Sequence, residues 1–235
     1  MADYCISCCS TADLSLEHFS KRDIRVIYFH FELGGVNYLD DCGVSVPPEK
    51  LFKDMLAGAS TKTSQVSVGE YIEFFEEMLS AGKDILHLSL SSGISGTYSS
   101  ACIARDELAQ KYPNRKIYVV DSLAASSGFG LIMDTLADLR DSGYTIDRLH
   151  DWINENRLYL NHWFFSTDLT FYIRGGRVSK TVFKRSRNHD EGKGERGWIR
   201  FQTMPKSTGA WDIPVQSRRL WQRMKRGTLG LATNH

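Results

Sequence analysis

This chain lacks the features that announce most chemistries. No apolar run approaches the roughly 18 residues of a membrane-spanning helix. The opening Met1-Ala2-Asp3-Tyr4 carries an early acid where a secretory signal has a basic stretch. No integral membrane segment is therefore expected, and the expected compartment is the cytoplasm. Prolines number only five and form no linker, and no internal repeat is visible. The seven histidines are scattered and give no metal-ligand spacing. Cysteine is sparse as well. Cys5-Ile6-Ser7-Cys8 has the C-x-x-C spacing, but within a stretch that reads as a strand, where residues three apart face opposite sides. There is no second C-x-x-C, so buried reduced thiols are expected and a metal is not. The phosphate-cradling G-x-x-x-x-G-K-[ST] loop is missing too.

What is present fits a globular protein of one large or two small domains: 235 residues, 42% hydrophobic and 24% charged. The net charge of +1 hides an asymmetry. Within residues 182–235 twelve cations stand against four acids, a net +8 that leaves −7 on the rest. A segment so charged is suited to nucleic acid or a membrane surface. It equally suits a stretch foreign to the fold, and no nucleic-acid partner is expected.

Hydrophobic patterning alternates strand, turn and helix. Tyr4–Cys9 reads as a buried strand ending in the hydroxyl-rich Ser10-Thr11-Ala12-Asp13-Leu14. Ile24–Leu33 reads as a second strand, which Gly34-Gly35 turns towards Val36–Leu39. Pro47-Pro48-Glu49 opens a short helix carrying Leu51, Phe52, Met55 and Leu56. Ser67 and Glu70 form a capping box for a helix striped by Tyr71, Phe74, Phe75, Met78 and Leu79. Ile85–Leu90 is a strand, Thr97 to Lys111 a helix, Lys116–Ser122 a strand, and Ser126-Ser127-Gly128 leads into another helix. Thr145–Tyr159 reads as a further helix, and His162–Phe165 and Leu169–Ile173 as strands. After Thr181 the periodicity fails. The pattern predicts an α/β fold with a parallel sheet. Ligands of such sheets bind outside the carboxyl ends of the strands, where the turns at Ser10, Ser91 and Ser122 would bring hydroxyls together.

Three polar segments carry the chemistry. Ser91-Ser92-Gly93-Ile94-Ser95-Gly96-Thr97 precedes a helix, so its N–H groups and the helix dipole favour an anion. Lys62-Thr63-Ser64-Gln65 is a second hydroxyl cluster, read as a loop before a helix. Arg174-Gly175-Gly176-Arg177 supplies cations in a turn. Each alone is equally a cap or a surface turn. A serine-hydrolase alternative, acting on acyl esters, pairs Ser95 with His87 and Asp121, although Gly93-Ile94-Ser95-Gly96 lacks the full G-x-S-x-G elbow. His87, inside an apolar strand, reads better as a core histidine.

Taken in order, five segments resemble the DegV family of bacterial fatty-acid-binding proteins. They are Ser10–Leu14, Lys62–Gln65, Leu90–Tyr98, Val120-Asp121-Ser122 and Arg174-Gly175-Gly176-Arg177-Val178-Ser179, and they span about residues 4–181. The resemblance implies a two-domain α/β fold, with an acyl chain in an apolar tunnel and the carboxylate between domains. It implies a lipid carrier without catalysis of its own, which presents a long-chain fatty acid to a fatty-acid kinase partner for phospholipid synthesis. No cofactor is implied beyond the bound fatty acid. By motif, Thr63 and Ser95 would hydrogen-bond the carboxylate, with Ser64, Ser92 and Gly96 in the same segments and Arg177 near the headgroup.

The resemblance has departures. Cys9 stands where the family usually has an acid, and Val66 replaces a common proline. After Ser179-Lys180-Thr181, where the family continues with small apolar residues, this chain reads Val182-Phe183-Lys184-Arg185-Ser186-Arg187. The expected organisation is a first α/β domain over 1–160, the start of a second over 161–181, and an atypical, poorly ordered basic tail over 182–235. That tail is expected to be a frameshifted or otherwise foreign ending, the alternative being a divergent, partly disordered one, and with either the second domain is expected to be incomplete.

Overall fold

The computed structural model describes residues 3–160, 162–165 and 198–201. The chain divides into two units, Met1–Leu160 and Asn161–His235.

The first unit opens with β1 (Tyr4–Cys9), a 3-10 turn at Ser10–Ala12, α1 (Leu16–Lys21) and β2 (Ile24–Ile27). The sequence reads Ile24–Leu33 as one strand, and the structure splits it. After Ile27 the chain leaves the sheet, and the Phe29 N–H donates to Ser10 Oγ at 3.1 Å. β3 (His30–Leu33) then belongs to a separate sheet with β4 (Val36–Leu39). Gly34 and Gly35, at φ of 59° and 86°, supply the left-handed pair that a tight hairpin requires. α2 (Pro48–Leu56) follows and buries none of its residues.

Next comes β5 (Thr61–Ser64), which pairs antiparallel with β3 and gives the small sheet the order β4-β3-β5. The Lys62–Gln65 cluster is thus largely an edge strand and not the expected loop. Its residues are mostly exposed, so no apolar alternation marks it. α3 (Val68–Ser80) starts at the predicted capping box: Ser67 Oγ accepts from Glu70 N–H, and the Glu70 carboxylate accepts from Ser67 N–H at 2.8 Å.

β6 (Asp84–Ser89), α4 (Thr97–Lys111), β7 (Ile117–Asp121), α5 (Ser126–Asp141) and α6 (Ile146–Asn156) complete the unit. Residues 157–159, expected within the last helix, form a 3-10 turn. The main sheet has the order β2-β1-β6-β7 and is parallel throughout. Successive β6 residues Ile85, Leu86, His87 and Leu88 are all fully buried, so both faces of the sheet are covered, which explains the near-continuous apolar strand. α3 and α4 pack on one another and on β6; α5 packs on β1, and α6 on β6 and β7.

In the second unit, β8 (His162–Phe165) pairs antiparallel with β9 (Trp198–Phe201). β9 falls where the sequence reading expects no strand. Leu169–Ile173, Arg177 and the remainder of 182–235 lie outside the described residues.

Candidate ligand-binding site

In the order β2-β1-β6-β7 the connections reverse between β1 and β6, a topological switch point. The turns after β1, β6 and β7 lie at the same edge of the sheet, because these strands are parallel neighbours. The hydroxyls expected to meet there have other partners: Ser91 and Ser122 serve their own turns, and Ser10 reaches to the segments around Phe29 and Asp40. Ser10 Oγ donates to Asp40 Oδ2 at 2.7 Å. Ser91 Oγ accepts from Gly93 N–H at 3.2 Å, and Ser122 Oγ accepts from Ala124 N–H at 3.1 Å.

The Ser91–Thr97 turn is held at both ends. At its start, buried Asp121 accepts from the N–H groups of Ser92 and Leu123, both at 3.1 Å. At its end, Thr97 N–H donates to Ser95 Oγ at 3.2 Å. That contact occupies a lone pair of the Ser95 hydroxyl and leaves its O–H to donate elsewhere. Among the described residues, the buried Ser92 hydroxyl oxygen has no hydrogen-bond partner.

Gln65 joins the two hydroxyl segments. Its Nε2 donates to Ser100 Oγ in α4 at 3.1 Å. A Cβ built on Gly96 would lie 2.6 Å from its Oε1, so Gly96 leaves the space the glutamine occupies. Gly96 caps α4 at φ −74°, a conformation any residue adopts; here the glycine serves close approach.

The small sheet, α2 and the turn after β1 border a cavity of about 650 Å³, within the range of small-molecule sites; Gln65, Ser92, Ser95 and Gly96 are not among its lining residues. Leu51, Phe52 and Met55 of α2 line one side of it. Phe31, Thr61 and Thr63 line another; Phe31 and Thr63 are register partners and so share a face of the small sheet. Ser10, Thr11 and Leu14 contribute from the turn after β1. Asp40 and Asp41 form an acidic stretch of the wall; Lys62 borders the cavity as well, with its exposed ammonium 3.9 Å from the Glu32 carboxylate. Directly after Asp41, Cys42 has its thiol pushed up to about 11 by burial and by Asp40, Asp41 and Asp13, which keeps it protonated at neutral pH.

Of the predicted site residues, Thr63 lines the cavity. Ser64 is exposed on the same strand, opposite His30 in register. Ser92, Ser95 and Gly96 lie together in the turn before α4, and Arg177 is outside the described residues. The sequence reading missed Gln65 as a tie between segments, although it stands directly after Thr63-Ser64. It missed the α2 wall as well, whose Leu51-Phe52 and Met55 it counted only as a helical stripe.

The hydrolase triad does not assemble. His87 is fully buried, with Nδ1 3.0 Å from Ser7 Oγ and Nε2 3.9 Å from Cys9 Sγ, and it is ringed by Tyr71, Phe74 and Phe75. Burial lowers its pKa from 6.5 to about 3, so the ring is neutral. Asp121 serves backbone N–H groups of the turns. Cys5 and Cys8 are free thiols on β1, Cys8 buried and Cys5 half-buried.

A parallel α/β sheet with hydroxyl-rich turns at its switch point and an apolar cavity alongside defines a ligand-binding α/β protein. The chain belongs to the DegV family: the family model, described as an uncharacterised protein family, matches residues 8–182. A DegV domain-containing protein of Clostridium perfringens is 36% identical over 173 residues, which are 74% of this chain and 60% of that relative. The chain thus spans about three fifths of the length of the curated relatives it matches. Among solved structures, a fatty-acid-binding DegV family protein of Thermus thermophilus superposes with a TM-score of 0.72 at 25% identity, covering 85% of this chain and 68% of that one. The Fatty Acid Kinase (Fak) B3 protein of Streptococcus pneumoniae, loaded with linoleic acid, also gives 0.72, at 20% identity, covering 92% and 72%. At that identity the second likeness shows the fold alone.

Proposed function

We propose that this chain binds a long-chain fatty acid and presents it to a fatty-acid kinase, with no catalysis of its own. The observation that supports this reading is an apolar cavity with Thr63 in its wall, on the strand that leads into Gln65, whose carboxamide meets Ser100 and Gly96 beside Ser95. A dry carboxylate needs several donors or a cation, and the Thr63 and Ser95 hydroxyls are offered as donors. Asp40 and Asp41 would repel the headgroup from their side of the cavity, which favours the Thr61–Thr63 side. Each buried methylene of the acyl chain contributes about 0.8 kcal/mol before binding costs. Arg177 keeps the headgroup role that its motif implies.

The kinase partner is inferred from the fold shared with the pneumococcal protein. Among the described residues no helix is long and apolar enough to cross a membrane. All five cysteines are free, which suits the reducing cytoplasm proposed as its compartment.

Native mass spectrometry of the full chain incubated with hexadecanoic acid tests the reading, the expected result being retention of one free fatty acid per chain. No retention, or sustained hydrolysis of an acyl ester that Ser95→Ala abolishes, would overturn it.

A further inference from the structure

A buried polar chain runs from the core to the start of α4, and the binding site described above does not use it directly. His87 Nε2 lies 3.9 Å from Cys9 Sγ, Cys9 Sγ lies 3.3 Å from the Tyr71 hydroxyl, and the Tyr71 hydroxyl lies 2.9 Å from Thr97 Oγ1. All four side chains are essentially inaccessible to water. Tyr71 is further immobilised by Phe75 and His87, with ring centroids 5.4 and 5.3 Å away. Burial and the neighbouring Cys9 push its phenol well above its usual range, so it stays neutral.

The position of this chain gives it a consequence for the site. It links the end of β1 to the N-terminus of α4 across the switch point, through a residue of α3. Thr97 is β-branched and stiff about its first side-chain torsion, so a hydroxyl anchored by Tyr71 holds its backbone as well. The Thr97 N–H in turn donates to Ser95 Oγ at 3.2 Å. A serine hydroxyl fixed as the acceptor of a backbone N–H keeps its O–H free to donate, as a carboxylate ligand requires.

Resting on the fatty-acid reading above, we propose that Tyr71 is a positioning residue for the headgroup site: through Thr97 it holds Ser95 as a donor, and so sets a preference for a carboxylate over an uncharged headgroup. Tyr71 touches no ligand. Its influence passes through the first turn of α4, while Asp121 secures the other end of the same loop.

The test compares hexadecanoic acid with hexadecan-1-ol, each displacing a fluorescent fatty acid from the full chain. Tyr71→Phe keeps the ring and removes the hydroxyl; it is expected to raise Kd for the acid roughly three- to tenfold and that for the alcohol less than about twofold. Thr97→Val should reproduce this loss of preference and Thr97→Ser should retain the preference of the parent chain. The double variant Tyr71→Phe/Thr97→Val should be no worse than either single one, since both break the same contact. Equal weakening of acid and alcohol, or an unchanged preference in a variant whose circular dichroism shows it folded, overturns the positioning role and leaves fatty-acid binding standing. Failure of the unsubstituted chain to bind the acid removes the fatty-acid reading and this inference with it. If Tyr71→Phe does not fold, the Thr97→Ser and Thr97→Val pair makes the same comparison.

Discussion

Gln65 and Gly96, thirty-one residues apart, are fitted to each other: the glutamine carboxamide fills the space that any side chain at position 96 would need, 2.6 Å from an ideal Cβ. The same carboxamide bonds Ser100 one turn further along α4. Two motifs that look like separate caps in the sequence are therefore one assembly.

Gly96→Ala is expected to separate binding from stability. The backbone there tolerates alanine, and the clashing atom is the far end of a flexible side chain, so the glutamine can swing away. Its displacement opens the tie and lets the Thr63 and Ser95 segments drift. Stability should fall by less than about 1 kcal/mol, because only a partly exposed hydrogen bond is lost. Fatty-acid retention should drop clearly. Thermal melting with displacement titration checks the pair, and loss of fold with unchanged affinity in the surviving fraction would contradict it.

Gly130→Ala should behave in the opposite way. A Cβ there would fall 2.5 Å from the carbonyl oxygen of Ala12 and 3.2 Å from Leu14 side-chain atoms. The first neighbour is backbone and cannot swing aside, so α5 must move off the turn that follows β1. Overpacking of this kind costs about 1–3 kcal/mol. A drop of that size in urea unfolding is expected, and an unchanged midpoint would mean that α5 approaches the turn less closely.

Much of the first unit was legible because its strands are buried on both faces and its helices carry capping signals. β1 and β6 follow from such burial and α3 and α6 from their caps, while the exposed β4 follows from the Gly34-Gly35 turn before it. The miss at Tyr28-Phe29 has a physical cause: two strands of different sheets adjoin without glycine or proline between them, so the apolar pattern runs through the break. β5 was illegible for the opposite reason. An exposed edge strand of Thr61, Lys62, Thr63 and Ser64 carries no alternation and is defined by its pairing with β3. At the site, hydroxyl segments can be read from sequence. The contacts that join them, from Gln65 to α4 and from Tyr71 to Thr97, connect positions 35 and 26 residues apart and become visible only in the fold.

His87 should make stability depend on pH in a defined window. Its folded pKa of about 3 lies below the ordinary 6.5. Above pH 6.5 the ring is neutral whether the chain is folded or not, and its contribution is fully present. Between about pH 6.5 and 3 the unfolded chain takes up a proton that the folded core refuses, so stability falls as pH falls. The loss accumulates to on the order of 4 kcal/mol at the bottom of the window. Urea unfolding of the parent and of His87→Gln at pH 7, 6, 5 and 4 checks this: the parent should lose stability more steeply, and parallel curves would refute the assignment.

Thr63 and Ser95 close the argument, since the proposed headgroup depends on both. Thr63→Val keeps the volume and the strand preference of an exposed edge position, and Ser95→Ala removes one hydroxyl from a turn that Asp121 still anchors. Neither change should unfold the first unit. Loss of a hydrogen bond to a charged group costs about 1.5–3 kcal/mol, which is on the order of a tenfold to hundredfold weakening for each variant. Because both hydroxyls address one carboxylate, the double variant should fall short of the sum. Hexadecan-1-ol, which has no charge to hold, should be affected far less by either change. Wild-type affinity for the acid in both variants, with the ligand shown to be bound, would place the carboxylate elsewhere and leave the two motifs as caps.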